Sequence, residues 1–130
     1  EVRIACPKGY EPNSIVVKKA YEIYKNKDLL KITNDPNSAV LGANVLYTDV
    51  WSSMGEENLK EKKDRDFHGF TLDSDLLEKA AGDAIVLHCL PAYRGKEISE
   101  RVFESPKNRI FEQAENRLHV QQALLALLIS

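Results

Sequence analysis

Cysteine is scarce in this sequence. There are two in 130 residues, Cys6 and Cys89, far apart along the chain. No familiar metal spacing links them to each other or to His68, His88 and His119, so neither a disulfide framework nor a zinc module is indicated. A basic excess is also missing: 18 Lys and Arg stand against 20 Asp and Glu, a net charge of -2. That balance speaks against a nucleic-acid binder, whose footprint is normally a basic face. The basic cluster Lys60, Lys62, Lys63 and Arg65 is interleaved with Glu61, Asp64 and Asp66, and reads as a solvated loop or helix face. The longest apolar stretch, near Leu124 to Ile129, is far too short to span a bilayer, and no signal peptide is read. Internal repeats and low-complexity segments are absent. The expectation is a soluble protein of a reducing, cytoplasmic compartment, with no membrane and no nucleic acid among its partners. A chain of this size suits one domain and buries roughly two-thirds of its unfolded surface, enough for one core.

What is present alternates between two textures. Val2–Cys6, Leu29–Thr33, Val45–Val50 and Ala84–Leu90 are short β-prone runs; the last is the most apolar and is expected to be central. Pro7, Gly9 and Pro12 break the first run, and Gly9 supplies a permissive turn. Between the runs lie helix signals. Asn13 or Ser14 can cap a helix reaching toward Lys25, and Asp35-Pro36 is a carboxylate cap followed by proline at the first helical position. Ser74 is read as the cap of a helix to about Ala81, stopped by Gly82, and Ser99–Glu104 as a short helix. Arg109–Phe111 is read as one more strand and Glu115–Ile129 as the last helix, with Leu118, Leu124, Leu125 and Leu128 near one face. Phe67–Leu72 is read as a short extended segment or loop. Strands alternating with helices imply an α/β fold, a parallel sheet with helices on both faces.

In such sheets ligands sit beyond the carboxyl ends of the strands, and two strand ends carry reactive groups. Asp49 is followed by Trp51, Ser52, Ser53, Met54 and Gly55. A carboxylate there can take an amine, and small residues with a glycine can turn N–H groups toward an anion, so together they suit an amino acid. The plainer alternative is that Asp49 caps a turn and Ser53 satisfies backbone. Cys89 ends an apolar run, where a cysteine is often a small core residue. Pro91 stops the strand immediately, which puts Cys89 at the rim. His88 and Cys89 are neighbours on a strand and point to opposite faces, against a thiolate–imidazole dyad. Arg94 and Arg117 follow the last strand regions; a guanidinium can hold a carbonyl or phosphate oxygen with two donors, or simply pair with a local acid such as Glu115.

Taken in order, three segments resemble one family. Asp49-Val50-Trp51-Ser52-Ser53-Met54-Gly55, His88-Cys89-Leu90-Pro91-Ala92-Tyr93-Arg94-Gly95 and Ala114-Glu115-Asn116-Arg117 are similar to the signature of the ornithine carbamoyltransferases. Cys6-Pro7-Lys8-Gly9-Tyr10 and Asp35-Pro36 fit as well, so the resemblance covers nearly the whole chain. It implies a Rossmann-like ornithine-binding domain over 1–130. The family transfers a carbamoyl group from carbamoyl phosphate to the side-chain amine of L-ornithine, giving L-citrulline and phosphate, in arginine biosynthesis or catabolism. Carried over, Asp49 binds the ornithine amines, Ser53 and Met54 hold its amino-acid end, Cys89 approaches the reacting amine, Cys89 and Leu90 border the carbamoyl group, and Arg117 polarises its oxygen. Asp49, Cys89 and Arg117 are then the catalytic set. No cofactor and no metal is implied.

The resemblance also marks what is not in the sequence. A Ser-Thr-Arg-Thr type phosphate loop and a His-Pro type carbamoyl phosphate motif, both of the family's other domain, are absent. The chain opens at what resembles the second strand, so a first strand, its helix and an ornithine-binding asparagine are expected to be missing. The implied reading is a domain truncated at its first strand, inactive alone, from a homo-oligomeric (trimeric or higher) enzyme. Self-association through the last helix or an open strand edge is expected. The alternatives are a non-catalytic binding module or engineered folding unit, and a related carbamoyltransferase using another amine.

Overall fold

A computed structural model describes residues 1–24, 27–52, 55 and 57–129. The expected helix residue Lys25 and the site residues Ser53 and Met54 lie outside these.

Local signals set the elements. Strand β1, Val2–Ala5, ends before a turn in which Tyr10 N–H donates to the Pro7 carbonyl, with Gly9 at a φ of 87°. Helix α1, Ser14–Ile23, starts where the Asn13 side chain accepts the Ile15 N–H. Strand β2 is Leu30–Thr33. Helix α2, Pro36–Val40, begins as expected: Asp35 accepts the N–H groups of Asn37 and Ser38, and proline occupies the first turn, where its missing N–H costs nothing. Strand β3 is Val45–Thr48. The polar stretch after it forms helix α3, Lys60–Asp66, braced by a Lys62–Asp66 ion pair one turn apart. Helix α4 is Ser74–Lys79, and its cap is Asp73, not Ser74: the Asp73 carboxylate accepts the Leu76 N–H at 2.9 Å. The helix ends at Ala80, before Gly82. Strand β4 is Ile85–His88, and helix α5 is Glu100–Phe103, capped by Ser99.

Helix α6 departs from expectation. It runs from Ile110 to Ile129 and absorbs the strand read over Arg109–Phe111. The Asn108 side chain accepts the Ile110 N–H at 2.6 Å and opens the helix five residues early. Strand-like pairing does occur just before that point: Val86 N–H donates to Lys107 O, and Arg109 N–H to Val86 O, both at 2.9 Å. β4 therefore has partners on both sides, as its apolar character led us to expect.

The fold is α/β with parallel strands. The named strands bond in two pairs: β1 with β2, Val2 opposite Leu30 and Ala5 opposite Thr33, and β3 with β4, Val45 opposite Ile85 and Thr48 opposite His88. Between the pairs lies a groove of about 830 Å³, with Val2, Arg3 and Ala5 on one wall and Val45, Leu46 and Tyr47 on the other. Helix α2 packs near β1 and β2, and α6 packs on β4. The core gathers on the β3–β4 side: Val40, Leu46, Leu72, Leu76, Leu77, Val86, Ile98, Val102, Phe103 and Ile110. Val86, Ile98, Val102 and Ile110 have no solvent exposure, each worth roughly 1.5–3 kcal/mol of burial. Beyond its first turn α6 contributes little to this core: Ile110 is its one buried residue among those described, while Leu118, Leu124, Leu125 and Leu128 are exposed. Among the described residues no helix is long and apolar enough to cross a membrane.

Candidate functional site

The register of β3 and β4 builds the site. Thr48 sits opposite His88 in a parallel pair, so the next residue on each strand, Asp49 and Cys89, emerge side by side at the carboxyl ends. The Cys89 thiol donates to Asp49 Oδ1 at 2.9 Å, and the same oxygen accepts the Val50 N–H at 2.7 Å. Burial, the hydrogen bond to Asp49 and the charge of Asp49 all push the Cys89 thiol up from its ordinary value. Cys89 is therefore a protonated donor near neutrality. Both cysteines are free thiols, Cys6 buried and Cys89 half-buried.

His88 precedes Cys89 on the chain, and one of its ring nitrogens lies within 4.8 Å of the Cys89 sulfur and an Asp49 oxygen. His88 is fully buried, and no hydrogen bond joins it to Cys89 among the described contacts. Its Nδ1 accepts the Leu90 N–H at 2.8 Å, and its Nε2 lies 3.3 Å from Glu97 Oε1. Its own N–H donates to Gln113 Oε1 on α6, and Gln113 in turn donates to the Tyr47 hydroxyl on β3. Leu90 has a φ of 57°, the one positive value outside glycine among the described residues. A side chain in that region costs about 1–2 kcal/mol, so the Leu90 N–H bond helps hold a turn that leucine disfavours. The Leu90–Pro91 peptide is cis.

Beside these groups is a cavity of about 270 Å³ lined by Asp49, Trp51, Ser52, Lys60, Tyr93 and Lys96, among others. It offers charge of both signs. The Lys96 ammonium reaches Asp64 of α3 at 2.7 Å, and the Ser52 hydroxyl is buried without a protein partner. Helix α3 is tied down a second time where Tyr10 and Lys62 both bond Asp66; these contacts raise Lys62 to about 12 and lower Asp66.

The remaining candidates separate. Arg117 lies on an exposed stretch of α6, seven residues past its start rather than at it. It is one helical turn beyond Gln113, on the face that Gln113 presents to the β3–β4 ends. Arg94 is engaged elsewhere: it pairs with Glu100 and Glu104 and lies over the Phe103 ring at 4.2 Å. His119 pairs with Glu115. Asp49, His88 and Cys89 do bring metal-ligand types of atom within 4.8 Å of one another, but both His88 nitrogens already face partners. Glu97 and Gln113 were not legible as site residues. The apolar strand ends signalled Asp49 and Cys89; nothing in Lys96-Glu97-Ile98 signals a buried carboxyl.

Comparison with known proteins follows the same lines. Residues 1–128 match the family described as aspartate/ornithine carbamoyltransferase, Asp/Orn binding domain. An ornithine carbamoyltransferase of Prochlorococcus marinus subsp. pastoris is 76% identical over 129 residues, which is 99% of this chain and 42% of that protein. The structure resembles that of the anabolic ornithine carbamoyltransferase of Campylobacter jejuni, with a TM-score of 0.87 at 44% identity, over 98% of this chain and 42% of that one. It also resembles the ornithine carbamoyltransferase of Thermus thermophilus, with a TM-score of 0.83 at 42% identity, over 100% of this chain and 40% of that one. The chain thus spans about two-fifths of the length of these relatives, and it belongs to the aspartate/ornithine carbamoyltransferase family by way of the Asp/Orn-binding domain.

Proposed function

We propose that this chain is the ornithine-binding part of an ornithine carbamoyltransferase, an enzyme of arginine metabolism in the cytoplasm. The whole enzyme joins the side-chain amine of L-ornithine to the carbonyl carbon of carbamoyl phosphate; phosphate leaves, the amine gives up a proton, and L-citrulline results. Carbamoyl phosphate would be held mainly by parts of the enzyme beyond this chain. The observation that carries the reading is the Cys89–Asp49 contact at paired strand ends, next to a small cavity with charge of both signs. Such a place suits a zwitterion with a second amine. The resemblance of the Asp49–Gly55 and His88–Gly95 segments to the ornithine enzymes, and the names of the relatives, support ornithine as that amino acid.

In this reading Asp49 draws the ornithine amines, and Ser53 and Met54 hold the amino-acid end. Cys89, as a protonated donor, stands beside the reacting amine and leaves proton acceptance to a carboxylate. Leu90 borders the carbamoyl group. Arg117 meets the carbamoyl oxygen, where a guanidinium contributes most as negative charge grows in the tetrahedral state. The enzyme works as a homo-oligomer, and no cofactor is needed for this chemistry.

Calorimetry with L-ornithine tests the reading. Selective binding of ornithine over lysine is expected, and Asp49→Asn should weaken it by about ten- to a hundred-fold, the loss of one charge-assisted hydrogen bond. Equal binding of both amino acids, or none by the folded chain at millimolar ligand, would count against it.

A further inference from the structure

We propose that Glu97 is a positioning residue: acting through His88 and through the Tyr93 N–H, it sets the backbone turn that presents Cys89 to Asp49. The proposal rests on geometry. Among the described residues, His88 and Glu97 are the only buried polar or charged side chains, neither has any solvent exposure, and they face each other at 3.3 Å. Because His88 Nδ1 accepts the Leu90 N–H, it carries no proton; the neutral ring then has its proton on Nε2, aimed at Glu97. Glu97 Oε1 also accepts the Tyr93 N–H at 2.5 Å. One carboxyl oxygen therefore fixes both ends of the Cys89–Tyr93 turn, one through the imidazole and one directly. Cys89 lies between His88 and Leu90, so its direction follows from theirs.

Glu97 is among the residues that border the cavity, yet it has no solvent exposure, and one of its carboxyl oxygens is engaged by His88 and the Tyr93 N–H. Its second oxygen is buried without a partner. An apolar side chain of similar size would fill this space without that cost, so stability alone gives no reason for a carboxyl group here. The reason lies in the two N–H groups that it receives. Glu97 itself is held by a long-range pairing: Leu72 N–H donates to Glu97 O, and Ser99 N–H to Leu72 O.

Although the catalytic meaning of the turn rests on the function proposed above, the test needs no ornithine. The pH profile of Cys89 alkylation by iodoacetamide is measured on the 130-residue chain, with Cys6 followed by peptide mass as an internal control. Cys6 is buried, whereas the thiol of Cys89 faces Asp49 and Tyr47. In Glu97→Ala the turn relaxes, Cys89 leaves Asp49, and its profile moves to lower pH. The rate at a fixed pH below the thiol's titration then rises by about ten-fold for each unit moved, because the thiolate is the reactive form. Cys6 stays protected. Glu97→Gln keeps a carbonyl oxygen for both N–H groups and restores the wild-type profile. Should the alanine variant not fold, Glu97→Asp retracts the carboxyl by one methylene and is expected to shift Cys89 in the same direction. An unchanged Cys89 profile in folded Ala or Asp variants overturns the proposal. So does a rise at Cys6 and Cys89 together that Gln fails to correct, since Glu97 would then merely support the fold. Shifts of this kind in the variants, together with no ornithine binding by the wild-type chain, refute the proposed substrate and leave the role of Glu97 standing.

Discussion

Asp49 and Cys89 meet because the residues before them, Thr48 and His88, are partners in a parallel ladder. Register sets the two residues side by side, and the turn that follows β4 aims the thiol. Removing the carboxylate charge should therefore alter the thiol without disturbing the fold. Asp49 raises the Cys89 pKa through its hydrogen bond and its charge; in Asp49→Asn the thiol should ionise at lower pH and react faster with iodoacetamide near pH 8. Stopped-time alkylation across pH measures this. A profile identical to wild type would mean that burial alone holds the thiol up.

The same shifts carry a sign for stability. Cys6 and Cys89 both have thiols raised in the folded state, Cys6 mainly by burial. Below the unfolded thiol pKa of about 8.5 both states are protonated and the preference is fully present. As pH rises past that value the unfolded chain loses its protons first, so stability falls until the folded pKa is passed. Urea melts between pH 7 and 10 should show this fall, and a Cys6→Ala, Cys89→Ala variant should show a shallower one.

Burial divides helix α6 into two energetic regions. Ile110 has no exposure and sits in the core with Val86 and Val102, whereas Leu128 is 80% exposed. Ile110→Ala should cost about 2–5 kcal/mol, as large-to-small core changes do, and Leu128→Ala should stay within about 0.5 kcal/mol. Chemical denaturation separates the two. The exposed leucines make a second reading available: Leu124→Glu with Leu128→Glu should lower binding of an apolar dye, since that stretch leaves apolar side chains uncovered.

Much of this was written in local sequence. The apolar run ending at Cys89, the Asp35-Pro36 helix start and the position of Asp49 just past a strand are short-range signals, and each appears where the pattern put it. The errors are local too. Ile110 and Phe111 have strand propensity, which hid the Asn108 side-chain bond to the Ile110 N–H at the start of α6. Asp73 and Ser74 are both good caps, and only the carboxylate's bond to Leu76 N–H decides between them. Glu97 was illegible for a different reason. Its burial comes from the pairing of Leu72 with Ile98, a contact between distant segments that no window of sequence contains.

The last prediction concerns turnover. Carbamoyl transfer needs a pocket that holds the phosphate of carbamoyl phosphate against the amine, and that anion must be met by several donors. Of the two lysines that line the cavity among the described residues, Lys96 pairs with Asp64 and Lys60 adds a single ammonium; elsewhere Lys62 pairs with Asp66, and Arg94 with Glu100 and Glu104. Arg117 sits on an exposed stretch of helix, able to offer one guanidinium and no enclosure. The 130-residue chain alone should therefore form no citrulline from ornithine and carbamoyl phosphate, even where it binds ornithine. A colorimetric citrulline assay at high protein concentration checks this. Steady turnover by the pure chain, abolished by Cys89→Ala, would show that a phosphate site exists within these residues.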